Sequence, residues 1–460
     1  MNTNWRLPIL LTLIIIGFLI FVSPASVQVK TQTVAFVNVN IVPMDAERII
    51  KEQTVIIRDG RVAEIGPASK IKVPKGAFRV DGQGKYLMPG LVDMHTHLTD
   101  DVAEGTPLAA DNGELLLYIA NGVTTVRNMK GQPKHLQWRK QIAGGEILGP
   151  TLYTCGPKVL GLQDPEEARR IVNEQAKAGY DCIKVYSPPD WSKEAYEALI
   201  AKAKELKISA TGHFPRNLSL EVALTTGQAS VDHAEEFLYT YFFKQKGHEF
   251  DAALVAPTAR AAREAGISVT PTLTFYDYFG LQVGDDTFQN LLKRPELKYV
   301  PRSIRGRGES ATENSYRKQI PPDKFKTVRY IFAFQKKLVK ALHDAGVRIM
   351  VGTDASWNLH FVIAGFSVHE ELRHFVDAGF TPYQALRAAT INPAEFLQAA
   401  NEFGTISVGK RADLILVEAN PLEDVTNASR RIGVMVRGRW LSEDELQRKL
   451  QELAASYAKK

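Results

Sequence analysis

The apolar positions of this chain change their period twice. From residue 30 to residue 88 they come in short β-like runs, Val34-Ala35-Phe36-Val37-Asn38-Val39 and Val55-Ile56-Ile57-Arg58-Asp59-Gly60-Arg61-Val62, with Asp59-Gly60 supplying a hairpin turn. A segment this short cannot enclose a core alone. Matching runs return near the other end, from Gly404-Thr405-Ile406 through Ala412-Asp413-Leu414-Ile415-Leu416-Val417 to Val434-Met435-Val436-Arg437-Gly438-Arg439. The economical expectation is one small β-sandwich built from residues 30–88 and 400–440, with the intervening chain inserted and a helix over 441–460.

Between residues 89 and 399, short apolar runs alternate with helix-period segments, the signature of repeated βα units and a parallel sheet. The candidate strands are 90–97, 122–128, 151–155, 181–186, 208–213, 230–233, 268–275 and 348–354. Their number predicts an α/β fold with a (β/α)8 TIM-type barrel. Helical stretches over 165–178, 193–206, 259–265 and 327–345 intervene, several ending in the Ala-Gly that stops a helix. Residues 276–325, rich in Arg, Lys, Pro and Gly, are too long for a simple loop. They predict either a cover over the barrel mouth or a disordered insertion.

Ahead of all this, Asn4-Trp5-Arg6 precedes an unbroken apolar run over residues 7–22, followed by Ser23-Pro24-Ala25. One positive charge, a greasy core and a small-x-small site predict a signal peptide or an uncleaved membrane anchor over residues 1–27. The body is then exported, periplasmic or extracytoplasmic, and touches a membrane only through that segment. The 460 residues carry 45% apolar and 23% charged side chains, which is globular composition. The net charge of +6 comes from 57 basic residues interspersed with 51 acidic ones, without a basic stripe, so no nucleic-acid partner is expected. A small-molecule substrate is, and a homo-oligomer is compatible with the composition. Cys155 and Cys182 are too few for a disulfide framework, and two buried thiols are the expectation, with a single bridge left open.

The chemistry starts at Gly90-Leu91-Val92-Asp93-Met94-His95-Thr96-His97. Side chains two apart on a strand share a face, so His95 and His97 can share one cation. Neutral imidazole is the commonest ligand for zinc-like ions. In barrels, catalytic groups sit at the carboxyl ends of strands. There the chain carries His95 and His97 on strand one, Lys184 on strand four, His213 on strand five, His233 on strand six and Asp354 on strand eight. Taken singly, each has a structural explanation: a snorkelling lysine, hydrogen-bonded core histidines, a helix N-cap. Together at one rim they imply a site.

With those residues in place, the chain resembles the amidohydrolase superfamily, in its imidazolonepropionase-like and prolidase-like branch. The motifs that carry the resemblance are Met88-Pro89-Gly90-Leu91-Val92-Asp93-Met94-His95-Thr96-His97, Asp181-Cys182-Ile183-Lys184-Val185, Thr211-Gly212-His213, Val231-Asp232-His233-Ala234 and Val351-Gly352-Thr353-Asp354-Ala355. Ala388-Ala389-Thr390-Ile391-Asn392-Pro393-Ala394 and the run from Gly404 to Leu414 are similarly typical. The resemblance implies a site with two divalent ions, most often Zn2+. His95, His97 and Asp354 would hold the more buried ion, and His213 with His233 the more exposed one. Lys184 would bridge them as a carbamate formed with carbon dioxide, and Asp354 would also shuttle the proton from the attacking water to the leaving amine. The implied outcome is hydrolysis of an amide-like bond in a dipeptide, an N-acyl amino acid or a cyclic amide.

Three rivals share the fold. A mononuclear deaminase resembles this pattern but usually carries an acid three residues after the strand-five histidine, where this chain has Arg216. A lactonase or other esterase would use the same ligands, and an inactive scaffold would lack some of them. Prolidase-like relatives often carry a Gly-Gly-His-type stretch after strand three; here it reads Cys155-Gly156-Pro157-Lys158-Val159-Leu160-Gly161. Tyr186, Arg127, Ser356 and His360 are the expected substrate-pocket residues. His135, His248, His343, His369 and His374 are expected at the surface or in packing.

Overall fold

The computed structural model describes residues 32–99, 111–187, 190–244, 250–310, 314–356 and 361–459. The expected signal or anchor segment lies outside them, as do His248 and His360. Among the described residues no helix is long and apolar enough to cross a membrane.

The two β-rich ends of the chain meet in one sheet. Its order is Arg439–Ser442, Arg431–Val436, Leu414–Val417, Tyr86–Pro89, Val34–Ile41, Ile50–Arg58 and Arg61–Pro67, with Phe78–Asp81 also paired to Val34–Ile41. The join is antiparallel, Leu87 opposite Leu416 and Met88 opposite Ile415. The two segments expected to form one small β-domain therefore share a continuous hydrogen-bonded sheet. Its apolar face buries Val34, Phe36, Val55, Leu414 and Met435, and Trp440 meets Phe36 edge-on at 5.2 Å.

Between these ends lie two four-stranded parallel sheets. One runs Thr151–Thr154, Val123–Asn128, Leu91–His97, Ala355–Ser356; the other runs Cys182–Val185, Ser209–Gly212, Ser230–Asp232, Ser268–Thr270. Regular pairing does not continue round a closed ring, which corrects the unbroken eight-stranded barrel. One seam holds only the isolated parallel bridges Cys155 to Cys182 and Val159 to Val185, the other only Val269 to Ile349. Residues 348–354, expected as the eighth strand, still bond backbone to both neighbours, Met350 N to Val269 O and Met94 N to Val351 O, each at 2.9 Å, but regular pairing is interrupted near Asp354, which has a left-handed φ of 61°, and at Thr353, which gives its amide (3.1 Å) and hydroxyl (2.6 Å) to Asp93. Gly352 is required there, since a Cβ would lie 2.3 Å from Thr270 Cγ2 and 2.8 Å from His95 Cβ.

Helices cross between the strands with conventional ends. Asp164 caps Pro165–Ala178 through the Glu166 amide, with Pro165 at the first helical position and Gly179 closing it at φ 91°. Ser192 caps Lys193–Glu205. The strand expected over 268–275 stops at Thr270; Thr272, at φ 52°, turns the chain into the helix Leu273–Val283. Beyond it the described part of 276–325 is mostly helical, with Asp285–Leu291, Arg302–Glu309 and Ser315–Gln319, so disorder is not its character.

Cys155 and Cys182 form a disulfide, which corrects the two buried thiols. The two residues are opposite each other at the seam between the parallel sheets, so the bond ties together strands that few ladder hydrogen bonds join.

Candidate metal centre

His95 is fully buried at the end of the first parallel strand and His97 is mostly so. His95 Nδ1 lies 3.3 Å from Asp232 Oδ2, which directs its N–H there and leaves Nε2 with a lone pair. That lone pair faces His97 Nε2 at 3.2 Å and Asp354 Oδ1 at 3.1 Å, and Asp354 Oδ1 is also 3.0 Å from His97 Nε2. Acceptors facing one another in a dry site repel unless a cation or proton stands among them. The spacing suits a cation, since ligand atoms held about 2.0–2.1 Å from one tetrahedral ion sit roughly 3.3 Å apart. One ligand atom from each of His95, His233 and Asp354 lies within 4.8 Å of the others.

Lys184 enters from the other sheet, its Nζ 3.5 Å from His95 Nε2 and 3.7 Å from Asp232 Oδ2. Burial lowers its proton affinity, against the pull of Asp232 and Asp354. His213 and His233 complete the cluster, their rings 4.8 Å apart and that of His233 4.5 Å from His95. His213 Nδ1 donates to Glu236 Oε1 at 2.7 Å, and His233 Nδ1 is 2.8 Å from Thr272 Oγ1, so each ring can present Nε2 inward. Burial holds both imidazoles well below the usual histidine range. Backbone geometry aims these groups: His233, Thr272 and Asp354 all have φ between 52° and 75°, conformations costing on the order of 1–3 kcal/mol each in a non-glycine residue. Gly212, at φ 119°, lets the strand before His213 pass Val185, whose carbonyl a Cβ would approach to 2.3 Å.

A cavity of about 290 Å³ opens onto the cluster, lined by Lys184, His213, His233 and Asp354, and walled by Met129, Tyr186, Phe275 and Tyr276. Tyr186 and Ser356, both expected in the substrate pocket, line it. Arg127 does not, which corrects its assignment. Its guanidinium is buried, donating to Met94 O at 2.7 Å, Thr211 Oγ1 at 3.2 Å and Asp232 Oδ1 at 3.0 Å, and so it supports the site from beneath.

Sequence reasoning passed over the carboxylates behind the ligands. Asp232 joins Arg127, His95 and Lys184; Glu236 joins His213 to Arg216, whose Nη2 also donates to Glu235 at 2.9 Å. Burial, then repulsion from Glu236, raises Glu235 to about 7 at the cavity wall, and burial raises Asp93 to about 7. The signal was in plain view, since each acid stands within three residues of a ligand histidine. His135 and His374 are buried and His369 half-buried, all away from the cavity, and half-buried His343 stacks on Phe380.

The family model of the amidohydrolase family matches residues 86–441. The chain belongs to that family. Its family is one of hydrolases. Among curated relatives, an imidazolonepropionase of Stenotrophomonas maltophilia is 36% identical over 254 residues, 43% of this chain and 62% of that one. An imidazolonepropionase of Micrococcus luteus is 24% identical over 397 residues, 81% of this chain and 89% of the relative. The chain thus spans less than two thirds of the first relative and most of the second. Among solved structures, bottromycin amidohydrolase superposes with a TM-score of 0.71 at 23% identity, covering 94% of this chain and 92% of its own. A Xaa-Pro dipeptidase with bound methionine superposes at 0.67 and 19% identity, over 89% and 100%. At such identities the likeness is one of fold.

Proposed function

We infer that this amidohydrolase cleaves an amide-like carbon–nitrogen bond in a small molecule, a dipeptide, an N-acyl amino acid or a cyclic amide, with two divalent ions, zinc foremost. On this reading the two parallel sheets are halves of one (β/α)8 barrel. His95, His97 and Asp354 would hold the more buried ion and His213 with His233 the more exposed one, with Lys184 placed to serve both as a carbamate. The carrying observation is the set of mutually facing acceptors around Asp354 Oδ1, with a buried amine 3.5 Å from His95 Nε2, at the floor of a cavity.

When bound, the ions supply Lewis acidity toward water and the substrate carbonyl. The chain's own residues do the rest. Lys184 is desolvated, which favours the neutral amine that can take up carbon dioxide. Asp354 is held well below the usual carboxylate range against its burial, which requires that a proton or cation be shared among the ring nitrogens of His95, His97 and His233 that face it. It is therefore ionised at neutral pH, ready to accept a proton from water and return it to the departing amine. Glu236 and Thr272 set the ring tautomers of His213 and His233. Met129, Phe275 and Tyr276 exclude bulk water from the reacting bond. The names of the similar proteins, imidazolonepropionase, Xaa-Pro dipeptidase and bottromycin amidohydrolase, support an amide-like bond. The disulfide supports export, because such bonds persist in oxidising compartments.

The test is elemental analysis of the purified protein, then a screen of N-acyl amino acids, dipeptides including X-Pro, and lactones. Two equivalents of metal and turnover of an amide are expected. His213→Ala and Lys184→Ala should lower bound metal and abolish hydrolysis in folded protein. Wild-type turnover by Lys184→Ala, prepared without short carboxylic acids, would sink the bridged centre. Turnover of lactones alone would transfer the site to ester chemistry.

A further inference from the structure

Lys158 lines the same cavity, from the segment that follows the third parallel strand. Its ammonium nitrogen lies 4.2 Å from the centre of the Tyr186 ring, and that ring meets His213 edge-on at 5.1 Å. The lysine is one aromatic ring removed from a proposed metal ligand. The segment that carries it is pinned at several points. Cys155 is tied to Cys182, Gln175 Nε2 donates to Pro157 O at 2.9 Å, Val159 N donates to Lys184 O at 2.8 Å, and Tyr186 N donates to Val159 O at 2.9 Å. Gly156 allows the close approach to Gln175, since a Cβ there would fall 2.0 Å from Oε1. The lysine is thus presented from fixed backbone rather than from a loose loop.

Among the described residues no carboxylate pairs with Lys158; its recorded partner is the face of Tyr186. Lys184, by contrast, lies beside Asp232. Glu235, the cavity's other acid besides Asp354, is engaged by Arg216. An ammonium on an aromatic platform, beside a wall of Met129 and Phe275, can exchange water for an anion while keeping its cation–π contact. The alternative is a surface lysine that merely rests its stem on Tyr186.

We propose that Lys158 is the specificity-determining residue of the cavity and binds the free carboxylate of an anionic amide substrate, with Tyr186 as the platform that positions its ammonium. This rests on the amide-hydrolase reading and narrows it to N-acyl amino acids and dipeptides over uncharged amides.

The test uses the full metal-loaded enzyme as wild type, Lys158→Gln and Lys158→Arg. Each is assayed on the best-cleaved N-acyl amino acid and on its N-alkyl amide counterpart lacking the carboxylate. Lys158→Gln should raise KM for the anionic substrate about ten- to hundred-fold with kcat within about two-fold, the scale of one charge-assisted hydrogen bond. Lys158→Arg should restore most of that KM, and the uncharged counterpart should not respond. Equal losses on both substrates, or no change in KM, would overturn the proposal. A second measurement, calorimetric titration of metal-free wild type and Lys158→Gln with benzoate, separates the two readings. At least ten-fold weaker binding by Lys158→Gln supports the carboxylate site even if no amide is cleaved, in which case only the reaction assignment falls. Equal affinity rejects the site whatever the turnover.

Discussion

Asp232 is the residue on which the most depends. Fully buried, it meets the Arg127 guanidinium at 3.0 Å, His95 Nδ1 at 3.3 Å and Lys184 Nζ at 3.7 Å. Burial would raise its carboxyl, but the Arg127 guanidinium, foremost among its neighbours, outweighs that and keeps it ionised. Asp232→Asn leaves a buried guanidinium without its counter-charge, a loss on the order of 3–5 kcal/mol, and frees His95 to rotate. Urea unfolding should show a lower midpoint and metal analysis reduced loading; an unchanged midpoint would contradict this account of Arg127. His369 offers a second prediction. Its Nε2–H donates to Asn121 O at 2.9 Å, and burial, then Arg431, lowers it to about 3. The unfolded chain, with histidine near its ordinary 6.5, takes the proton first, so this group's contribution holds above about pH 6.5 and is lost as pH falls toward 3. Between pH 6 and 4 the wild type should therefore lose about 1.4 kcal/mol per pH unit more than His369→Gln. Denaturation curves that stay parallel across that range would refute it.

At the scale of elements, the seam between the parallel sheets is the vulnerable place, and the disulfide sits on it. Among the described residues this seam carries isolated bridges at Cys155 and Val159 rather than a regular ladder, and the covalent bond reinforces it two residues before Lys184. Cys155→Ser/Cys182→Ser should lower stability by about 2–4 kcal/mol. Dithiothreitol should shift the thermal midpoint of the wild type and leave that of the double variant unmoved. Strand and helix existence was legible because period-2 and period-3.6 runs are long here, as the capped helix Pro165–Ala178 illustrates. The ends of strands were not legible. Thr272 and Asp354 adopt left-handed φ because neighbouring strands and the Asp93 carboxylate hold them there, a preference absent from either residue alone.

For the whole molecule, the proposed ligands come from both parallel sheets, so metal binding and folding would be one equilibrium. Free zinc at about one hundred times its dissociation constant should stabilise the protein by about 2.7 kcal/mol, and chelation should remove that increment. Calorimetry with and without chelator checks it; a thermal midpoint indifferent to zinc would contradict the shared centre. By itself the sequence determined which residues alternate, where turns and caps fall, and that His95, His97, Lys184, His213 and His233 come at or just beyond strand ends, because these are properties of neighbours along the chain. Only the tertiary structure decided that Arg127 lies under the site instead of in it, that Asp232 and Glu236 orient the ligands, that Cys155 meets Cys182, and that the parallel strands pair as two sheets. Those outcomes depend on contacts between residues tens to hundreds of positions apart, where burial and competing partners, not local period, set the free energy.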